Sequence, residues 1–323
     1  MTCTLVLPPD APRADWLAAR RLGVGGSDVA AILGHSPYRT PLAVWLDKTG
    51  QDDDADSEAM EWGRRLERVV LDKFADTHPE LTLIGPPGLV RDDEHPVFLA
   101  TPDDLATGTT TSPEVVEAKT TGARAAWAWE DGATPDAYAL QTLWYMGIVG
   151  AQVGHIACLI GGRTYVERVI ERDDDLLDWM RTRVREWWDR YVVTGTPPPA
   201  TPPTDDRLMA RAYPAGERSE AVLDVDVLTE IEHARTLRGV MDTLETDLAG
   251  CVTRIKEALG ATTDGLDLDG APVVTWRPRK PSRRVDRTLL QHDGPDAYAA
   301  CALEGEPTRV LRFIEPRSND DQQ

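Results

Sequence analysis

The sequence predicts an α/β protein (α+β in the broader sense) with a mixed central sheet flanked by helices, on three observations. Apolar residues recur at helical spacing from Ser57 to Thr77. Short β-rich segments bounded by Gly, Pro and Asp follow from Leu81. A helical segment at 135–150 then separates the strand at 115–121 from two strands within 152–172, and this order is typical of a helix that crosses a mixed sheet.

The region before Ser57 predicts three short helices. The first covers 15–22 and ends at Gly23. Ser27 predicts the N-cap of the second, because its hydroxyl can accept a hydrogen bond from a free backbone N–H. Pro41 predicts the first turn of the third, where a missing N–H costs nothing.

The segments after Leu81 predict an antiparallel meander, since four of them are short and separated by turn residues: "LTLIG", "GLVRDD", "VFLATPDD" and "VVEAKTT". Two further strands are expected to pair around Gly161–Gly162. A helix over about 173–193 closes this part of the chain.

The proline-rich segment 194–206 predicts a linker between a domain at 1–193 and an extension at 207–323. Within the extension, apolar residues at three-or-four spacing over 225–259 predict a helical hairpin or a coiled-coil arm. A β-hairpin turned at Asp269–Gly270 should follow, and then a disordered acidic tail.

The charge and composition limit the class of protein. The formal net charge of −20 argues against non-specific nucleic-acid binding, although a locally basic face on an acidic protein can still hold DNA. The four cysteines are scattered without a C-x-x-C pair, which excludes a zinc knuckle or an iron–sulfur cluster. The N-terminus does not resemble a signal peptide, and no apolar run could span a bilayer, so we expect a cytoplasmic protein without a membrane partner.

The strand "VVEAKTT" carries a carboxylate and a lysine two residues apart. Side chains on a strand alternate between faces, so Glu117 and Lys119 share one face while Val116 and Ala118 share the other. This pattern fits either a solvated edge with an ion pair or a metal-dependent phosphodiesterase. The strand alone leaves both interpretations open.

A second carboxylate, Asp103, comes directly after Pro102. If the two segments are hairpin neighbours, Asp103 and Glu117 lie side by side and form the hard-oxygen site that Mg²⁺ prefers. The Ala118 carbonyl would add a ligand, and Lys119 would orient an attacking water and offset charge on the phosphate. A solvated loop remains the alternative.

Three further features weigh on this choice. Glu67 lies at the edge of the apolar stripe of its helix, where it either serves the site or pairs with Arg64 or Arg68. Gln141 either faces the site or is a surface residue. The "GGSD" turn at 25–28 is either a phosphate cradle or a simple turn.

Five blocks occur in an order that resembles a known family: "RLGVGGSDVAAILGHSPYRTPLAVWLDKTG", "EWGRRLERVVLDKF", "TPDDL", "VVEAKTT" and "YALQTLWYMGIVG". Over about 14–193 the chain resembles the YqaJ-like and lambda-exonuclease-like branch of the PD-(D/E)xK nuclease superfamily. The resemblance implies an exonuclease on double-stranded DNA ends, dependent on Mg²⁺ with Mn²⁺ able to substitute. It further implies 5′ to 3′ digestion, 3′ overhangs for a single-strand annealing recombinase, and a homo-oligomer in the form of a trimeric ring.

The resemblance also implies roles for individual residues. The catalytic set is Lys119, Glu117, Asp103 and Gln141. The metal ligands are Glu67, Asp103, Glu117 and the carbonyl of Ala118. The contacts to DNA phosphate are Arg21, Ser27 and Asp28.

One departure keeps two questions open. The family has glycine after the aspartate, whereas this chain has Asp104, which could be a bystander, an extra ligand or the true ligand. That substitution and the net charge motivate an alternative function, a catalytically silent DNA-binding or assembly protein of the same fold. A Cas4-like nuclease is excluded because it needs a cysteine cluster, and no sequence-reading element of a restriction enzyme is evident.

Overall fold

The structure is a computed structural model that describes residues 3–51, 57–108, 111–214, 220–278 and 292–301. The chain divides into two compact units, Met1–Pro214 and Ala215–Gln323. The helices of unit 1 are α1 (Arg13–Arg21), α2 (Gly26–Ile32), α3 (Pro41–Lys48), α4 (Glu58–Thr77), α5 (Asp136–Val149), α6 (Asp174–Trp187) and α7 (Met209–Ala212). Its strands are β1 (Cys3–Leu7), β2 (Thr82–Leu83), β3 (Leu89–Asp92), β4 (Leu99–Ala100), β5 (Asp104–Thr107), β6 (Glu114–Thr121), β7 (Val153–Ile160) and β8 (Thr164–Glu171).

The central sheet has five strands in the order β2-β5-β6-β7-β8. Strands β6 and β7 are parallel and the other neighbours are antiparallel, so the sheet is mixed as predicted. Helix α5 connects the two parallel strands, because a parallel pair needs a crossover rather than a hairpin. Its ends match the sequence signals, with Pro135 as N-cap and Gly150 in the left-handed conformation that terminates a helix.

The two faces of β6 meet different helices. Val116 and Ala118 pack with Val70 and Phe74 of α4 in an apolar cluster. Glu117 projects from the opposite face and accepts a hydrogen bond from α5. The alternation predicted for this strand is therefore confirmed, and the polar face of β6 lies under α5.

The predicted meander of four strands is wrong, because the segments divide between two sheets. Strands β3 and β4 join β1 in a separate antiparallel sheet of order β1-β3-β4. The segment "VFLATPDD" breaks at Pro102, which has no N–H for a ladder hydrogen bond, so β4 and β5 belong to different sheets. The N-terminal strand β1 pairs with β3, and the predicted meander did not include this strand.

The proline-rich segment packs onto unit 1, so the compact unit extends beyond the predicted linker. Buried Asp205 accepts a hydrogen bond from the Thr40 hydroxyl at 2.6 Å. Ala200, Leu208 and Ala212 pack against an apolar cluster that includes Trp45. The boundary between the units consequently lies after Pro214 rather than within 194–206.

Unit 2 contains one long helix, α8 (Val225–Leu259), rather than a helical hairpin. Strands β9 (Asp264–Leu266) and β10 (Pro272–Thr275) form the predicted antiparallel pair, and Gly270 in the turn has a positive φ. A short helix, α9 (Pro295–Cys301), is the last described element. Residues from 302 onward, which contain the predicted tail, lie outside the described part of the chain. No helix in the described part of the chain is both long and apolar enough to cross a bilayer.

Candidate active site

The two carboxylates Asp103 and Glu117 are neighbours at the start of β5. Strands β5 and β6 pair with Asp104 opposite Val116, which sets Asp103 beside Glu117. The Asp103 backbone N–H donates to the Glu117 carboxylate at 3.3 Å, and the Ala118 N–H donates to the Asp103 carboxylate at 2.9 Å. Because the N–H and C=O of one strand residue point to the same side, the Ala118 carbonyl also faces Asp103.

Lys119 contacts both carboxylates. Its ammonium nitrogen lies 2.5 Å from the Glu117 carboxylate and 3.7 Å from that of Asp103. The same nitrogen lies 5.7 Å from the centre of the Tyr138 ring, a cation–π geometry. The structure thus brings the predicted Asp103, Glu117 and Lys119 into one cluster.

The protonation equilibria of this cluster are strongly shifted. Burial and the nearby Asp103 charge raise the pKa of Glu117 to about 8, although the Lys119 ammonium opposes the shift. Burial alone would lower the pKa of Lys119, but Glu117 and Asp103 outweigh it and raise that pKa. The charged form of the buried Glu117 carboxylate is therefore disfavoured, and a further cation beside the pair would stabilise it.

Asp104 faces away from this cluster. Its side chain is buried and its Oδ1 accepts hydrogen bonds from the Gly85 N–H at 2.7 Å and the Leu105 N–H at 2.8 Å. Burial raises its pKa. The Asp104 carboxylate thus binds the loop at Gly85, whereas Asp103 faces Glu117, and this arrangement favours the bystander alternative for Asp104.

We expect Asp104→Ala to lower the free energy of unfolding by about 1–3 kcal/mol, because the half-buried Gly85 N–H loses its acceptor. Urea unfolding measures this change. Any activity that depends on Asp103 and Glu117 should be retained by the folded variant. An Asp104→Ala protein that folds normally but has lost activity contradicts this assignment.

Glu67 lies on α4, within electrostatic reach of Asp103 and Lys119. It is half-buried on α4, and burial followed by the Asp103 charge raises its pKa to about 7. Helix α4 packs on the Ala118 face, whereas Glu117 projects toward α5. Among the described residues no three His, Cys, Asp or Glu side chains are grouped closely enough to hold a metal ion. A ligand role for Glu67 stays a prediction.

Gln141 supports Glu117 from α5. Its amide donates to the Glu117 carboxylate at 3.0 Å and to the Tyr145 hydroxyl at 3.3 Å. Helix α2 approaches this part of α5 closely through Gly26, where an added Cβ would lie 2.7 Å from the Tyr145 ring and 2.9 Å from Gln141. A side chain at Gly26 would push α2, and with it Ser27, away from the site.

A polar cleft of about 200 Å³ opens beside Asp103, and we call it the phosphate cleft. Asp103, Gln141 and Tyr145 line it together with Trp16, Arg20, Gly25, Ser27 and Thr101 among others. The guanidinium of Arg20 donates to the Ser27 hydroxyl at 2.6 Å. The cleft presents a cation, hydroxyl groups and an amide next to the carboxylate pair, which is a donor set suited to phosphate.

The structure corrects one of the predicted phosphate contacts. Arg20 lines the phosphate cleft, whereas Arg21 is directed toward Asp47, at 3.8 Å. The two arginines are adjacent on α1, and a helix rotates each successive residue by about 100°. Arg20 therefore faces Ser27, and the predicted Arg21 is not among the residues that line the cleft.

Asp28 is also corrected, because it is a buried anchor and does not reach the surface. Its fully buried carboxylate lies 2.8 Å from Lys48, 3.1 Å from Arg39 and 3.2 Å from Arg20. It also accepts the Gly25 N–H at 3.1 Å. A carboxylate would repel phosphate, so Asp28 acts by holding Arg20 and the Gly25 turn in place.

Asp28 should make the protein acid-sensitive. Burial alone would raise its pKa, but Lys48, Arg20 and Arg39 outweigh burial and hold the pKa well below its ordinary value of 3.8. Stability from this group is therefore present above about pH 4 and lost as the pH falls toward the folded-state pKa. Asp28→Asn should cost about 3–5 kcal/mol at pH 7, since three cations lose their buried partner.

Urea unfolding of wild type and Asp28→Asn between pH 7 and pH 3 tests this expectation. The difference in stability between the two proteins should shrink as the pH falls, because wild type loses the stabilising charge. Asp72→Asn, which changes an exposed carboxylate on α4, is the matched control. Parallel stability curves for wild type and Asp28→Asn contradict the buried-anchor role.

The fold and the site define an α/β protein whose mixed sheet carries a carboxylate–lysine centre beside a phosphate cleft. Residues 15–152 match the family described as YqaJ-like viral recombinase domain. Protein YqaJ of Bacillus subtilis is 30% identical over 307 residues, covering 93% of each chain. The chain belongs to the YqaJ-like viral recombinase family.

Two further similarities are more limited. Protein D345L of African swine fever virus is 36% identical over 84 residues, which cover 23% of this chain and 24% of that protein. The crystal structure of the alkaline exonuclease LHK-Exo from Laribacter hongkongensis aligns with 55% of this chain and 91% of that chain. The identity is 21% and the TM-score is 0.46.

Proposed function

We propose that this protein is a metal-dependent exonuclease that hydrolyses phosphodiester bonds at the ends of linear double-stranded DNA. The observation that carries the proposal is the cluster of Asp103, Glu117 and Lys119, of which Asp103 lines the phosphate cleft. Membership of the YqaJ-like viral recombinase family supports a role in phage-type recombination.

The residues present fit a divalent cation. Magnesium takes one or two protein carboxylates and fills its other positions with water and substrate phosphate, so a three-carboxylate cluster is not required. Asp103, Glu117 and the Ala118 carbonyl would hold it, with Glu67 as a further candidate ligand. When bound, Mg²⁺ (or Mn²⁺) supplies positive charge at the scissile phosphate and lowers the pKa of a coordinated water.

The protein side chains have separate tasks in this proposal. Lys119 neutralises charge that develops on the phosphate, in a site where low dielectric strengthens the interaction. Gln141 holds the Glu117 carboxylate through its amide. Arg20 and Ser27 bind the phosphate of the terminal nucleotide in the phosphate cleft, which places the next phosphodiester near the carboxylate pair.

We assign 5′ to 3′ digestion, 3′ overhangs for a single-strand annealing recombinase, a trimeric ring around DNA and action in the bacterial or phage-infected cytoplasm. Their support is the resemblance of the five sequence blocks to phage-type recombination exonucleases. Size-exclusion chromatography with light scattering tests the trimer.

The adjacent arginines provide a test of the phosphate cleft. Arg20→Ala should lower the preference for a 5′-phosphorylated end over a 5′-hydroxyl end by about 10-fold, the effect of losing one charge-assisted contact of roughly 1.5 kcal/mol. Arg21→Ala is the matched control and should keep the preference. The ratio of initial rates on the two substrates measures it, and equal losses in both variants contradict the assignment.

The experiment that tests the proposed function compares linear duplex with the same DNA as a covalently closed circle, in Mg²⁺ and in EDTA. Degradation of the linear form alone, in Mg²⁺ alone, is the expected result. Binding without degradation in Mg²⁺ or Mn²⁺ would favour the alternative, a silent DNA-binding or assembly protein. The net charge of −20 motivates that alternative, whereas Asp104 no longer does.

A further inference from the structure

A second depression is lined by Tyr138, whose ring centre lies 5.7 Å from the Lys119 ammonium nitrogen. It has a volume of about 770 Å³ and is lined by residues that include Tyr38, Trp127, Trp129 and Tyr138. We call it the aromatic groove. Trp127 is 72% exposed and Tyr38 is 70% exposed, so two large rings present their surface to solvent.

The floor of the aromatic groove is fixed by contacts within the protein. Trp129 is buried and stacks on Tyr138, with ring centres 5.8 Å apart. Arg168 holds the backbone beneath it by donating to the carbonyls of Trp129 and Ala133, at 2.5 Å and 2.8 Å. The Tyr38 and Tyr138 hydroxyls lie 3.2 Å apart. The exposed Trp127 therefore sits on a rigid support.

The aromatic groove is continuous with the catalytic cluster. Tyr138, Gln141 and Tyr145 occupy one face of α5, because residues three, four and seven apart lie on the same side of a helix. Tyr145 lines the phosphate cleft, Gln141 contacts Glu117, and Tyr138 lines the aromatic groove. A rise of 1.5 Å per residue separates Tyr138 from Tyr145 by about 10 Å along α5.

Strand β6 shows the same continuity. Thr121 lines the aromatic groove and follows Lys119 by two residues, so both side chains lie on one face of the strand. A nucleic-acid strand with its terminal phosphate in the phosphate cleft and its next phosphodiester at Lys119 would continue into the aromatic groove.

The chemistry of the lining suits bases rather than phosphates. Among the described residues that line the groove there is no lysine or arginine. The ionisable side chains other than tyrosines are His35 and Asp136, and they contact each other at 3.0 Å. Exposed aromatic faces stack with nucleobases in a manner that is tolerant of sequence, so the groove suits bases, while the phosphates would be held outside it.

We propose that the aromatic groove binds the bases of unpaired nucleotides next to the scissile phosphate, with Trp127 and Tyr38 as stacking platforms. This inference rests on the proposed function, since it extends the DNA path beyond the catalytic cluster. It assigns to the groove the separation of the terminal base pairs, because a base stacked on Trp127 is withdrawn from its partner strand.

The test uses a 5′-phosphorylated duplex with 2-aminopurine at the second or third nucleotide, bound in Ca²⁺ to limit turnover. The variants are Trp127→Ala, Trp127→Phe and Trp179→Ala, the last removing a tryptophan that is 46% exposed on α6, as the matched control. Trp127→Ala should weaken duplex binding by about 10-fold, and the fluorescence of the bound 2-aminopurine should return to that of the free duplex, because the base loses its stacking partner in the groove. Trp127→Phe should restore most of both signals.

The outcomes separate this inference from the proposed function. If Trp127→Ala and Trp179→Ala show equal duplex affinity and equal 2-aminopurine fluorescence, the aromatic groove does not bind bases, even if wild type degrades DNA in Mg²⁺. The groove would then have another occupant, such as a protein segment. A Trp127-dependent fluorescence change in a wild-type protein that never degrades DNA supports the groove and overturns the exonuclease.

Discussion

Lys119→Ala is expected to reduce DNA hydrolysis by about 10³-fold while the duplex remains bound, because the lysine stabilises charge that develops only as the bond breaks. The ammonium lies 2.5 Å from Glu117 and 3.7 Å from Asp103, in a buried setting where it remains charged at neutral pH. Single-turnover rates on a linear duplex, with the dissociation constant measured separately, distinguish loss of chemistry from loss of binding.

Two controls keep this result interpretable. Lys73→Ala removes an exposed lysine on α4 and should leave the rate unchanged. Thermal unfolding of Lys119→Ala, with and without Mg²⁺, reports whether the uncompensated carboxylates unfold the site. A folded Lys119→Ala protein that hydrolyses DNA at the wild-type rate contradicts the proposed catalytic role.

The second large effect concerns metal binding in the absence of DNA. Saturating Mg²⁺ or Mn²⁺ should raise the melting temperature of wild type, because the cation offsets the burial and the Asp103 repulsion that together raise the pKa of Glu117 to about 8. At a metal concentration of about 100 times the dissociation constant, the gain is about 2.7 kcal/mol. For a unit of this size that gain corresponds to several degrees.

Asp103→Asn should abolish the metal-dependent shift in melting temperature, since it removes one of the two paired carboxylates. Asp104→Asn is the matched neighbour and should retain the shift, because Asp104 is fastened to the Gly85 loop. Glu67→Gln decides the open question of the third carboxylate, and a smaller shift would make it a ligand. An undiminished shift in Asp103→Asn places the metal elsewhere and contradicts the site.

Local signals were sufficient for the elements that carry the cluster. The alternation of β6 placed Glu117 and Lys119 on one face, and the Pro102–Asp103 break next to it predicted the carboxylate pair. The N-cap and apolar spacing of α4 gave its bounds to within one residue. These features depend on contacts close in sequence or on strand pairing across one short hairpin.

The features that the sequence did not predict depend on packing between residues that lie far apart in the chain. The choice of Arg20 over Arg21 depends on how α1 is oriented against α2, and the burial of Asp28 depends on Lys48 arriving from α3. The pairing of β1 with β3 joins residues far apart in the chain, and the burial of Asp205 depends on Thr40. No periodicity or spacing in one segment contains that information.

The proposed exonuclease activity is tested by measuring the release of label from a linear duplex that is labelled at either the 5′ or the 3′ end. If the protein is this exonuclease, mononucleotide is released early from the 5′ label in Mg²⁺. No mononucleotide is released in EDTA, and the Lys119→Ala variant releases none on the same time scale. Retention of both labels by wild type in Mg²⁺ and in Mn²⁺, with the duplex still bound, would contradict the proposed activity.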